Sequence, residues 1–187
     1  MNIYSIALFV HAAGALGFFV ALGLEWAGLR KIRNSPPSGQ ARAWMGNLKK
    51  INKVGFVSML ATVITGVYLT LAVWGATAWI IVTLAALGLV IALSVALTRP
   101  RMAALGRQLS MEKGLQSPTG SRLANDRLLW LSIQTRAALG LAIVFLKFAK
   151  PDLGGSLLAL GVAIVLGIAS ALPMRRNERV LEASEKV

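Results

Sequence analysis

The sequence predicts an all-α fold, a polytopic transmembrane helix bundle of five spans with its N-terminus outside and its C-terminus cytoplasmic. Three observations carry this. Of 187 residues, 56% are hydrophobic and 14% charged, with a mean hydropathy of +0.68, more apolar surface than a soluble fold of this size hides. The apolar residues come in blocks of roughly 20, the length that crosses a hydrocarbon core of about 30 Å. The formal net charge of +13 is concentrated between particular blocks.

The elements follow in order. The first span is predicted over residues 3–29; "MNIYS" lacks the basic start of a signal peptide and the apolar run is too long for one, so this segment is expected to stay in the mature protein. The second covers 51–73, with Ser38 as a candidate cap for a helix that runs through 41–47 into it. The third covers 78–98, and "MAALGRQLSMEKG" has the composition to carry that helix past Pro100. The fourth covers 128–148 and the fifth 156–173, leaving 174–187 as a cytoplasmic tail. The short turns "WGATA" and "KPDLGG" predict that helices two and three, and helices four and five, are antiparallel neighbours.

Orientation comes from the basic residues. Arg30, Lys31, Arg33, Arg42, Lys49, Lys50 and Lys53 lie between spans one and two, and Arg99, Arg101, Arg107, Lys113, Arg122 and Arg127 between three and four. The tail adds Arg175, Arg176, Arg179 and Lys186, whereas the opposite side has Lys147 and Lys150. The positive-inside rule makes the richer side cytoplasmic, and an odd number of spans then puts the N-terminus outside. Trp26, Trp44 and Trp130 fall at cytoplasmic ends and Trp74 and Trp79 at the outer turn, the headgroup levels that indole favours. Basic loops on such a bundle imply contact with anionic lipids or a partner subunit, and not nucleic acid.

Small residues suggest where helices meet, because in lipid close packing replaces the hydrophobic drive. Stripes occur at Gly55, Ser58, Thr62, Thr65 and Gly66 in the second span, Gly88, Ala92 and Ala96 in the third, and Ala159, Ala163, Gly167 and Ala171 in the fifth.

Polar residues inside spans are functional candidates because they are costly there. Tyr4, His11, Phe18 and Glu25 recur every seven residues and share one slowly winding stripe. His11, in "LFVHAAGALGF", is the chain's single histidine, about 12 Å below the outer boundary by helical rise; Gly14 and Ala15 leave room beside it. Three readings are open: an imidazole bonded to a neighbouring helix, a haem or metal ligand, or a protonatable transport residue. Arg136, in "WLSIQTRAALGL", costs about 2.5–3.5 kcal/mol at depth unless paired or snorkelling. Its stripe includes Ser132, with Gln134 close by, and its candidate partners are Glu25 or an anionic ligand. Simple exposure at the membrane boundary is the plainer reading of Glu25, and core filling that of Met59.

The stretches "LFVHAAGALGF" and "TGVYLTLAVWGATAWIIVTLAALGLV" resemble small bacterial integral membrane proteins of a domain family of unknown function. These are distantly similar to CopD-type copper-resistance and HemJ-type protoporphyrinogen oxidase proteins. The resemblance covers roughly the first four helices. It implies that His11 is a ligand of haem b; in such a protein the intramembrane cation Arg136 would counter a propionate. A second imidazole would have to come from another protomer or a partner subunit. With no cysteine and one histidine, iron–sulfur, thiolate zinc and multi-imidazole metal sites within the chain are excluded.

No nucleophile, acid and base converge in the spans, so no catalytic residue is expected. The expected function is an integral inner-membrane protein serving as a membrane or accessory subunit, alone, as a homodimer or with a partner. A haem b redox protein and a small proton-linked carrier are the alternatives. Because the chain has no cysteine, cysteines introduced at Ser38 and Thr77 test the topology: a membrane-impermeant maleimide should reach them from opposite sides, and labelling from one side would break the five-span arrangement.

Overall fold

Among the described residues, five helices are long and apolar enough to cross a membrane: Ile3–Arg33, Gly39–Val73, Ala78–Ser110, Thr119–Ala149 and Leu153–Ala171. The structure, a computed structural model, describes residues 2–34, 38–75, 77–111 and 118–171; the expected tail 174–187 and the end of the fifth predicted span lie outside them. We label the elements α1 (Ile3–Arg33), α2 (Ser38–Leu69), α3 (Ala78–Leu93), α4 (Arg99–Ser110), α5 (Pro118–Ala124), α6 (Arg127–Ala149) and α7 (Leu153–Ala171). Wider π turns, Thr70–Trp74 and Ser94–Thr98, end α2 and join α3 to α4.

Local sequence explains the boundaries. Asn2 caps α1 by accepting from the Tyr4 N–H, and Asp126 caps α6 by accepting from the Leu129 N–H at 2.9 Å. Gly75, with φ +64°, makes the tight turn after α2, a conformation that L side chains resist. Pro100 cannot donate a backbone hydrogen bond, and the π turn that precedes it lets α3 continue as α4 through the gap. Arg42 of α2 donates from Nε to the Leu109 carbonyl at 2.9 Å, so a cation closes the C-terminus of α4.

The helices form two groups. α1 packs along α2, and α3 packs with α6 and α7. The α1–α2 seam is close because glycines remove side chains from it: a Cβ on Gly14 would lie 2.6 Å from Thr62 Oγ1, and one on Gly17 2.5 Å from Ser58 Oγ. Gly167 does the same for α7, where a Cβ would lie 2.6 Å from Thr135 Cα. The small-residue stripes of the second and fifth spans thus lie at seams. That of the third does not: Gly88, Ala92 and Ala96 are exposed, and α3 buries Ile80, Val82, Ala86 and Val90 instead. A branched face fills the space between three helices better than a flat one.

The second departure concerns neighbours. α6 and α7 are adjacent, as their short turn predicts, but α2 and α3 hardly touch despite being joined by an equally short one. Each is held instead by its own group, and a cleft lies between them.

The groups join at the basic end, where Leu29, Ile32, Leu48, Leu105, Leu129 and Ile133 are almost wholly buried. Most of this core stands beyond the apolar blocks, where water makes burial favourable; by contrast, none of the most apolar stretch of α2 is buried, the pattern of a helix with lipid as its solvent. Trp130 is part of this core, 2% exposed, and its indole N–H donates to the Ala124 carbonyl at 3.0 Å. The Arg33 guanidinium lies 4.8 Å from its ring centre. Trp130 is therefore a core residue rather than the headgroup anchor its position suggested, whereas Trp26 and Trp44 are half-buried beside Arg30 and Lys31.

Two glycines of α1 separate packing from propensity. Gly14→Ala should destabilise the protein by about 1–3 kcal/mol through overpacking, whereas Gly23→Ala, which meets nothing within 4 Å, should gain up to about 1 kcal/mol of helix propensity. Thermal unfolding in mild detergent measures both.

Candidate functional site

The cleft between α2 and α3 contains two cavities, of about 410 and 420 Å³. Phe18 of α1 and Met59 of α2 line both, so these two side chains form the partition. The stripe Tyr4–His11–Phe18–Glu25 is divided by it. Tyr4 and His11 line the cavity away from the basic end; Glu25 lines the one toward it, with Arg136.

In the first cavity, His11 Nδ1 lies 2.9 Å from the Thr62 carbonyl oxygen. A carbonyl only accepts, so Nδ1 carries the proton and a neutral ring keeps its lone pair on Nε2. Thr65 Oγ1 lies 3.4 Å from the same Nδ1. The ring fits because position 66 is glycine: a Cβ there would come within 3.0 Å of His11 Cε1. Nε2 has no hydrogen-bond partner among the described residues. The remaining walls are mainly apolar, from α1, α2, α3 and α6, with Lys147, Trp79 and Thr83 among them. Thr83 Oγ1 is buried there without a partner.

In the second cavity, Arg136 Nη2 donates to Glu25 Oε2 at 2.7 Å. Both residues are buried, at 4% and 3% exposure, so Glu25 is not the exposed boundary carboxylate that its position suggested. Arg136 Nη1 donates to Ser94 Oγ at 3.3 Å, while Nε is buried with no partner. One turn earlier on α6, Ser132 is wholly buried. Its hydroxyl donates to the Leu93 carbonyl at 3.1 Å and lies 2.9 Å from Thr98 Oγ1. The π turn Ser94–Thr98 thus supplies the polar groups on which α6 docks, as such turns often do at functional sites. α1 can reach α6 because Gly140 admits Phe19, whose Cε1 would lie 2.8 Å from a Cβ at that position.

The candidate residues are therefore distributed over two places. Glu25, Arg136 and Ser132 form one polar centre, and Tyr4 and His11 belong to the other. Gln134 is half-buried on α6 and lines neither cavity. The sequence reading missed Ser94 and Thr98, although two hydroxyls four residues apart at the end of an apolar block are a signal that could have marked them. Lys49 and Arg99, which in the sequence belong with the other basic loop residues, both line the second cavity.

A haem b would find one ligand in the first cavity, the His11 Nε2, oriented by the Nδ1–carbonyl bond as metal-binding imidazoles commonly are. Arg136 stands beyond the partition with Nη2 occupied by Glu25, so Lys147 is the basic residue that shares a cavity with His11. Among the described residues no group of three or more His, Cys, Asp or Glu is placed to hold a metal ion. No family model, curated protein or solved structure matches the chain.

Removing one member of the buried pair should be severe. Glu25→Gln is expected to cost about 3–5 kcal/mol because it leaves Arg136 buried and uncompensated, while Glu25→Met with Arg136→Met should recover most of that. Gln134→Ala should stay within about 0.5 kcal/mol of the parent. A double-mutant cycle by unfolding in mixed micelles measures these; additive single costs would refute the pairing.

Proposed function

We propose that this is a multi-pass protein of the bacterial inner membrane, N-terminus outside and C-terminus cytoplasmic, acting as a non-catalytic membrane subunit that accommodates an apolar molecule in its cleft. The observation that carries the reading is the divergence of α2 from α3, which leaves two cavities between helices long enough to span a bilayer. Their volumes fall within the range of ordinary ligand sites, mostly apolar with a few convergent polar groups. The Ser94, Thr98 and Ser132 hydroxyls and the ion pair are engaged in helix packing, which favours binding over bond-making chemistry. Basic loops at one end supply a surface for acidic headgroups or a partner subunit.

The test fills the cleft. Val63→Trp narrows the first cavity and Val95→Trp the second; both positions line it. Native mass spectrometry of delipidated protein after adding back lipid extract should show tightly held apolar adducts on the parent and fewer on the variants. Equal retention by all three would overturn the reading.

A second reading, haem b binding, is favoured by one observation: the bond from His11 Nδ1 to the Thr62 carbonyl leaves Nε2 as the ring's free ligating atom. In it the protein binds the porphyrin through His11. A Soret band in the purified protein that His11→Ala abolishes would establish it. A colourless protein that stays colourless after haem is added back would remove it.

A further inference from the structure

The second cavity differs from the first in its mouth. Lys49 of α2 and Arg99 of α4 stand on opposite walls of it, with Asn52 beside Lys49. The Arg99 guanidinium lies 5.9 Å from the ring centre of Phe56, so it reaches from one helix group across to the other. Neither Lys49 nor Arg99 has a carboxylate partner among the described residues. The one carboxylate lining this cavity, Glu25, is committed to Arg136 at 2.7 Å. The mouth therefore has two uncompensated cations and an amide, above walls of Met59, Ile91 and Val95.

Position in the chain gives these charges a level. Lys49 lies two residues before the apolar block of α2, and Arg99 immediately follows that of α3. Both therefore stand where hydrocarbon meets headgroup if the blocks span a bilayer. α2 and α3 hardly touch, and Phe56, Ile91 and Val95 of the cavity lining are exposed, which gives a chain lying in a bilayer a route into the cavity.

We propose that this mouth is a specific site for an acidic glycerophospholipid: its phosphate is held between Lys49 and Arg99, and one acyl chain lies in the cavity along Met59 and Val95. The proposal rests on the cleft reading above and adds the headgroup chemistry and orientation. Charge complementarity chooses this occupant. A transmembrane helix of a partner would fill the same walls and leave two cations facing hydrocarbon or a neutral backbone, whereas the phosphodiester compensates them and its chain completes the packing. Arg99 is suited to the task, since a guanidinium stacked on Phe56 keeps its N–H edge free for oxygen acceptors.

The test uses the full chain in mild detergent, delipidated, with phosphatidylglycerol and phosphatidylethanolamine of identical chains titrated back and read by native mass spectrometry and thermal unfolding. Phosphatidylglycerol should form a one-to-one adduct and raise the unfolding temperature. Phosphatidylethanolamine should bind at least about tenfold more weakly, as expected for two cations facing a net anion. Lys49→Gln with Arg99→Gln should lose that preference, while Lys50→Gln with Lys53→Gln, which removes as much charge from the same end but outside the cavity, should keep it. Arg99→Lys should keep most of it, and far-ultraviolet circular dichroism establishes that each variant is folded.

Equal binding of the two lipids, or equal losses in the two double variants, would overturn the headgroup site and leave the cleft reading standing. Inorganic phosphate that protects as well as phosphatidylglycerol would also overturn it, because the chain would then contribute nothing. Lipid retention that ignores Val95→Trp would overturn the headgroup site as well, and retention that also ignores Val63→Trp would overturn the cleft reading with it. A second polypeptide or second copy held in place of lipid, and displaced by neither phospholipid, would contradict the proposal in favour of a helix in the cleft.

Discussion

The buried pair between Glu25 and Arg136 is the interaction on which the arrangement depends. Two charges withdrawn from water cost several kcal/mol each, and attraction offsets this only with close geometry and satisfied neighbours. Here the contact is 2.7 Å, and Ser94 takes a second guanidinium nitrogen. α1 and α6 belong to different helix groups, so the pair does more than neutralise two residues. It sets the distance and rotation of one group against the other at the depth where the basic-end core gives way to the cleft.

The cleft follows from competition between packing faces. α2 spends its small residues on α1, where Gly14, Gly17 and Gly55 bring the backbones close. α3 presents its bulky aliphatic face to α6 and α7. Neither retains a face suited to the other, and a short turn cannot force a contact that both groups have already satisfied elsewhere. Phe18 and Met59 then divide the space into two chambers of different chemistry: an imidazole with its Nδ1 bonded to a backbone carbonyl in one, and an ion pair below two cations with no carboxylate partner among the described residues in the other.

Much of this was legible in the sequence, for definite reasons. Apolar block length and composition identify five helices capable of spanning a bilayer. The heptad spacing of Tyr4, His11, Phe18 and Glu25 placed them on one side of α1, and the cost of Arg136 at depth singled out Glu25 as a partner. Other features depend on three-dimensional competition that periodicity does not encode. The exposed stripe of Gly88, Ala92 and Ala96 looks locally like the packed stripe of α7; only the shape of α6 decides between them. Glu25 looked exposed because depth was counted along α1 alone, whereas Arg136 of α6 packs against it. Lys49 and Arg99 stood in a crowd of basic residues, and only the divergence of α2 from α3 distinguishes them.

The central claim is that the Glu25–Arg136 pair holds two helix groups apart at a defined width. With no native cysteine, spin labels at Val67 and Leu84, exposed positions on opposite walls of the cleft, report that width by double electron–electron resonance in nanodiscs. A single narrow distance distribution is expected in the parent background, and a shifted or broadened one after Glu25→Gln in protein that remains helical. Identical distributions in the two would contradict the account.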